Sequence, residues 1–90
     1  MQAVKLTIFG RVQGVGFRYC TKLVADHLGI TGIVRNNSDG SVYVEAQGEL
    51  SELETFIEKI KVSPTPSGKV EKLIVTKIPP IEYSDFQITY

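Results

Sequence analysis

Gly10, Gly14 and Gly16 fall within the first seven residues of the stretch GRVQGVGFR, and they separate two patterns of different period. Upstream, AVKLTIFG alternates. Val4, Leu6 and Ile8 share one side, and Lys5, Thr7 and Phe9 share the other, the pattern of a half-buried strand. Downstream, Phe17, Cys20, Leu23, Val24 and Leu28 recur at helical spacing until Gly29 stops them. The chain therefore turns from strand to helix through a segment whose glycines cost conformational entropy on folding.

The rest of the chain alternates the same two periods. TGIVRN reads as a short strand, and NSDG as a turn in which Asp39-Gly40 is the strongest hairpin signal. SVYVEAQ returns as a strand with Val42, Val44 and Ala46 on one face. Ser51 to Glu54 has the spacing of a capping box, and Leu53, Phe56, Ile57 and Ile60 follow as a helical stripe. Glu52 and Glu54 come early in that helix and Lys59 and Lys61 late, as the helix dipole favours. SPTPSG is a loop, KVEKLIVTKI a strand ended by Pro79-Pro80, and DFQITY a last short strand. The order strand, helix, strand, strand, helix, strand predicts an α+β fold. It is a ferredoxin-like split βαβ sandwich (βαββαβ), with two helices on one face of an antiparallel sheet. At 90 residues the chain is expected to form one domain spanning 1–90.

Composition narrows the function. Ten basic and ten acidic residues leave no net charge, which argues against a broad basic footprint for nucleic acid or a membrane surface but allows a small anion site. Cys20 is the only cysteine, so no internal disulfide forms, and a reducing, cytoplasmic compartment is expected. No apolar run is long enough to span a membrane, and MQAVKLTIFG lacks the layout of a signal peptide. Neither a membrane nor a nucleic-acid partner is expected.

A glycine-rich turn between a strand and a helix has two readings. It is a tight turn whose glycines only permit the chain path. Alternatively, it aims several backbone N–H groups into one concavity, where the helix N-terminus adds positive potential and an anion binds. On the second reading, Arg18 falls in the first helical turn, where its planar fork can grip two phosphate oxygens. The common nucleotide motifs do not fit. Phe17 and Arg18 follow Gly16 where a P-loop needs Lys and Ser or Thr, and Tyr19 stands where a dinucleotide fingerprint needs its third glycine. A cysteine phosphatase needs C-x5-R, but Asp26 lies six residues after Cys20. No cluster of His, Asp or Glu has metal-ligand spacing. Cys20 reads as a core thiol, and His27, near the end of its helix, as a dipole-favoured surface residue.

GRVQGVGFR followed by GIVRNNSDGSV closely resembles the acylphosphatase family, with both segments in the family's order and a matching overall length. The resemblance implies hydrolysis of acyl phosphates to a carboxylate and orthophosphate, without metal or other cofactor. It implies small acyl phosphates as substrates (carbamoyl, acetyl or bisphosphoglycerate species, unranked) and inorganic phosphate as a ligand. Its two catalytic positions fall on Arg18 and Asn36. Its phosphate-binding loop falls on Gln13, Gly14, Val15, Gly16, Phe17 and Arg18. Ile33 stands where many members carry tryptophan, a site that reads as packing.

The implied chemistry is coherent. Phosphoryl transfer rests mostly on positioning and electrostatics. A cradle of N–H donors with Arg18 supplies the electrostatics. Asn36 can hold an attacking water in line but cannot act as a base, so a phosphate oxygen of the substrate takes the proton. The alternative is a non-catalytic domain of the same fold that binds phosphate or acyl phosphate. A monomer is expected in either case.

Overall fold

A computed structural model describes all residues, Met1–Tyr90. The elements are β1 (Gln2–Arg11), α1 (Phe17–Leu28), β2 (Thr31–Asn36), β3 (Val42–Gly48), α2 (Leu50–Lys61), β4 (Lys69–Ile78) and β5 (Phe86–Ile88). The sheet order is β4-β1-β3-β2-β5. β3 lies antiparallel between β1 and β2, and β4 lies antiparallel to the outer side of β1. This is the ferredoxin-like split βαβ arrangement predicted from the element order.

The alternation in β1 and β3 decides which face is covered. Val4, Leu6 and Ile8 lie opposite Ala46, Val44 and Val42, and all six are buried. They form one core with Val34 of β2, Phe17 and Ala25 of α1, and Leu53, Phe56 and Ile60 of α2. Both helices therefore pack on this face. α1 ends where Gly29 turns left-handed (φ 70°) and Ile30 N–H reaches back to the Ala25 carbonyl at 2.9 Å.

Details differ from the sequence reading. The buried stripe of α1 runs through Phe17, Thr21 and Ala25, while Leu23 is half exposed and Cys20 only partly buried. Residues four apart on a helix face the same way, and Phe17, anchored in the core, sets that line. Ser51 is no capping-box residue. α2 begins two residues earlier than that cap would place it, Glu49 is its N-cap without a side-chain bond, and the Ser51 hydroxyl binds the Glu52 carboxylate.

β5 pairs parallel to β2, so the sheet is mixed rather than wholly antiparallel. The path of the chain explains this. β4 finishes with Ile78 opposite Ala3, at the end of the sheet where β2 begins. A chain crossing there to the far edge must run beside β2 in the same direction. The crossing segment lies over the face without helices. Ile81 N–H donates to Gln47 Oε1 at 2.6 Å, and the Tyr83 hydroxyl donates to Glu45 Oε1. Tyr43 donates to the other oxygen of Glu45 at 2.6 Å, and Arg35 stacks on the Tyr43 ring, 4.6 Å from its centroid. Phe86 then seats β5 in the core against Phe56, with ring centroids 6.1 Å apart.

This latch responds to pH at both ends of the scale. Burial, then the bond to Glu45, pushes the Tyr43 phenol up to about 12. The bond to Glu45, then burial, does the same for Tyr83, also up to about 12. Burial would raise Glu45, but the two phenol bonds and the charge of Arg35 outweigh it and hold the carboxyl below its usual range. A raised phenol stabilises the fold below the ordinary tyrosine pKa of about 10, and that contribution is lost as pH rises toward the folded value. Stability is therefore expected to fall between about pH 10 and 12. Denaturant unfolding across that range should give a shallower decline for Tyr83→Phe than for the wild type. Equal slopes would mean that the latch does not couple to folding.

Candidate active site

The carboxyl ends of β1, β2 and β5 and the start of α1 enclose a cavity of about 300 Å³. Its wall is formed by Val12, Gly14, Gly16, Phe17, Arg18, Tyr19, Asn36, Ile88 and Tyr90. Parallel strands that end beside a helix N-terminus are a recurrent setting for anion sites.

The glycines of the opening segment divide by cause. Gly10 sits at a register shift where β1 meets β4, with φ 133°, and any Cβ there would strike the backbone of Lys69 and Glu71. It is a sheet residue. Gly14 (φ 74°) and Gly16 (φ 79°) face open space, so what selects glycine there is backbone conformation and not crowding. Val15 between them has negative φ, because Ser63 is the only non-glycine residue with positive φ. Alternating φ signs turn successive N–H groups toward one side, the geometry of an anion-binding nest.

α1 extends that nest. Its N-cap, Gly16, has no side chain, and its first backbone bond runs from Cys20 N–H to the Gly16 carbonyl at 3.0 Å. The N–H groups of Phe17, Arg18 and Tyr19 therefore have no intrahelical acceptor. No acidic side chain stands in the first turn to compensate them.

Arg18 carries the only side-chain charge on the wall. The one ion pair of the molecule joins Lys22 to Asp26, so the guanidinium has no carboxylate partner. It donates weakly to the Thr89 carbonyl at 3.4 Å and lies 4.7 Å from the centroid of the Tyr90 ring. Both contacts orient the group and leave its charge unneutralised. Asn36, at the end of β2, shares the core-facing side of that strand with Val34 and so faces the same cavity. Its Oδ1 is buried and takes no hydrogen bond from the protein. Buried acceptors of this kind are uncommon. The terminal torsion of asparagine is broad, so a turn of the amide can bring an acceptor to the cavity.

The structure brings Arg18 and Asn36 together with Gly14, Gly16 and Phe17. It directs the side chains of Gln13 and Val15 elsewhere. Gln13 Nε2 donates to the carbonyls of Asn37 and Ser41, at 2.8 and 2.9 Å, and ties the loop to the β2–β3 turn. Val15 packs against the core, and its carbonyl accepts from Thr65 Oγ1 at 3.1 Å. Thr65 is buried in the α2–β4 loop, where the Ser63 hydroxyl holds both its N–H and its carbonyl. Sequence reading passed over Thr65, because its partner lies 50 positions away and no local pattern marks it. It also passed over Val12, Tyr19 and Ile88 as wall residues. His27 borders a different depression, with Leu23 and Lys59, and Ile33 lies on the helix-free face opposite Glu45.

A split βαβ domain with a backbone nest, an uncompensated arginine and an unpartnered asparagine in one cavity defines a binder of small oxyanions. Comparison with known proteins narrows this class. The acylphosphatase family model matches residues 4–88. An acylphosphatase of Ligilactobacillus salivarius is 54% identical over 90 residues, covering 100% of both chains. One of Lactiplantibacillus plantarum is 53% identical over 89 residues, covering 99% of each. The crystal structure of acylphosphatase from Bacillus subtilis superposes with a TM-score of 0.95 at 37% identity over 100% of both chains. The chain belongs to the acylphosphatase family, and its reaction is the hydrolysis of acyl phosphates.

Thr65→Val orphans the Val15 carbonyl and is expected to cost about 1–3 kcal/mol of stability. It should also weaken inhibition by inorganic phosphate. An unchanged inhibition constant in the folded variant would mean that the loop keeps its shape without this pin.

Proposed function

We propose that this chain hydrolyses acyl phosphates by direct in-line attack of water, with Arg18 and the Gly14–Arg18 backbone holding the phosphoryl group and Asn36 holding the water. The observation that carries the reading is that an unpaired guanidinium and the asparagine Asn36 line one cavity with the glycine nest. The transferring phosphoryl group spreads charge over its peripheral oxygens. N–H donors already aimed at that position need no reorganisation as the charge shifts. Asn36 stays neutral, so it orients the water and does not take its proton. That proton passes to a phosphoryl oxygen, the bond from phosphorus to the acyl oxygen breaks, and a carboxylate leaves with the electron pair. A carboxylate is a good leaving group and needs no general acid.

The metal-free part of this reading is supported by the chemistry of the wall. It carries no carboxylate, imidazole or thiol side chain, and nowhere in the molecule do three such groups converge. The reading as a single-domain enzyme is supported by whole-length matches to relatives of the same size. A reducing, cytoplasmic setting fits the lone cysteine, and no helix is long and apolar enough to cross a membrane.

Benzoyl phosphate turnover in the presence of chelator tests the reading. Arg18→Ala is expected to lose at least ~10²–10³-fold in kcat and to lose phosphate inhibition. Near-normal turnover would remove Arg18 from the mechanism. Asn36→Ala is expected to lower kcat while phosphate still inhibits. Loss of both would make Asn36 a binding group. The wild-type kcat should stay flat from about pH 5.5 to 8, because no histidine or carboxylate side chain lines the cavity. No turnover from the folded wild type would favour a phosphate-binding module instead.

A further inference from the structure

The neutral sum of charges hides a separation between the two faces of the sheet. Lys5, Thr7 and Phe9 alternate with the buried Val4, Leu6 and Ile8, so they stand on the helix-free face. Tyr43 and Arg35 lie level with Thr7 on the neighbouring strands, and Lys72 lies opposite Phe9. Arg11 and Lys69, opposite each other, close that end of the sheet. Lys5, Arg11, Arg35, Lys69 and Lys72 are half of the ten basic residues. All five are exposed, and none enters an ion pair.

The acids are placed differently. Glu45 is the one acid level with these residues, opposite Lys5, and the hydroxyls of Tyr43 and Tyr83 already occupy its carboxylate. Asp26, Glu52, Glu54 and Glu58 are on the helices. Asp39 is turned onto Ser41. Glu71, left without a partner by the register shift, lines a groove with Ile57 and Lys61 of α2. Glu82 and Asp85 lie in the crossing segment, which meets the sheet at Gln47, Glu45 and Gly32, toward the start of β2. The end of the face that holds Phe9 and Arg35 is left basic.

Two rings lie among these cations. Phe9 of β1 and Tyr43 of β3 are partly buried and diagonal to each other across the Thr7–Tyr43 pair of adjacent interior strands. Lys72 Nζ lies 5.9 Å from the centroid of the Phe9 ring, and the Arg35 guanidinium 4.6 Å from that of Tyr43. A ring with a cation beside it matches a nucleotide, whose base stacks on the ring and whose phosphate pairs with the cation. Four-stranded sheets with stacking aromatics on the open face are one of the common modules for single-stranded RNA. An anionic lipid surface would use the same cations but gives the rings no planar partner.

We propose that the helix-free face around Phe9 and Tyr43 binds single-stranded nucleic acid, with the two rings stacking on bases and the surrounding lysines and arginines pairing with phosphates. None of these residues lines the cavity at the start of α1, so the surface is separate from the cradle. Five cations contact at most five phosphates. The slope of log K against log salt is then no steeper than about −3.5, and binding is confined to low salt.

The test is fluorescence anisotropy of labelled oligouridylate with the full chain at low salt, beside the same strand paired with oligoadenylate and beside vesicles of anionic lipid. The single strand is expected to bind best, and Arg18→Ala to bind it as the wild type does. Phe9→Leu, which keeps an apolar side chain, should weaken binding about tenfold, as the loss of one stacking contact does, and Phe9→Tyr should retain it. Lys72→Gln and Arg35→Gln should each make the salt slope shallower by about 0.7. Benzoyl phosphate turnover should stay at the wild-type level in Phe9→Leu and Lys72→Gln, which shows that they fold. No binding at low salt overturns the proposal. So does binding that Phe9→Leu leaves unchanged, since the rings then take no part. Equal or tighter binding of the duplex or the vesicles overturns it in favour of a general anionic surface, and loss of binding in Arg18→Ala moves the strand to the cradle.

Discussion

The left-handed backbone at Gly14 and Gly16 is the constraint on which the site depends. With Val15 between them at negative φ, the alternating φ signs are those that turn successive N–H groups toward one side. Such a loop is not stable by itself, since each N–H turned inward is one that no secondary structure satisfies. The fold holds it from both sides. Gln13 binds two carbonyls of the β2–β3 turn, and Thr65 takes the Val15 carbonyl. The β2–β3 turn also follows directly on Asn36, so the pin that holds the loop ties it to the strand end that carries Asn36. That turn is itself braced by Asp39, whose carboxylate accepts from both the N–H and the hydroxyl of Ser41. Those bonds from Ser41 keep the Asp39 carboxyl below its usual range.

The same economy appears in the electrostatics. The chain has no net charge and one ion pair, so little of its charge is spent on the fold. Arg18 gains only a weak carbonyl contact and a ring. Leaving a partly buried guanidinium without a carboxylate costs stability, but a carboxylate there would neutralise the charge that Arg18 presents to the cavity. Unsatisfied groups are expected at functional places in an otherwise consistent fold. Here the free N–H groups of the first turn of α1, the unpaired Arg18 and the side chain of Asn36 border one cavity, while the other unpartnered buried oxygen, Thr21 Oγ1, lies in the core face of α1.

Much of this was legible in the sequence because it is local. Period-two and period-3.6 patterns located every element, and β4 was read to the residue. The glycine segment and the two family motifs pointed to Arg18 and Asn36. Local pattern failed where long-range contacts decide. Leu23 fitted the helical period yet is exposed, while Thr21 lies buried, because the anchoring of Phe17 rotates α1. Gln13 fell within the motif, but its partners lie 24 and 28 positions away. Gly10 looked like part of the cradle until its place against β4 was known. The direction of β5 followed from where β4 ends, which no local pattern encodes.

The residues of the cavity wall differ in how firmly the fold holds them. The cradle is pinned by hydrogen bonds on rigid elements, as a group that must match a transition state has to be. The rings of Tyr19 and Tyr90 on the same wall are exposed, and Tyr90 lies two residues after the end of β5. Neither ring takes part in the hydrogen bonds that hold the loop, which run from Gln13 and Thr65. The crossing segment is latched by Tyr83 and Gln47 and delivers β5, and the two residues that follow β5 supply the Thr89 carbonyl that orients Arg18 and the Tyr90 ring that lies over it. A latch on the helix-free face thus sets the position of a guanidinium at the end of the sheet, through one short strand.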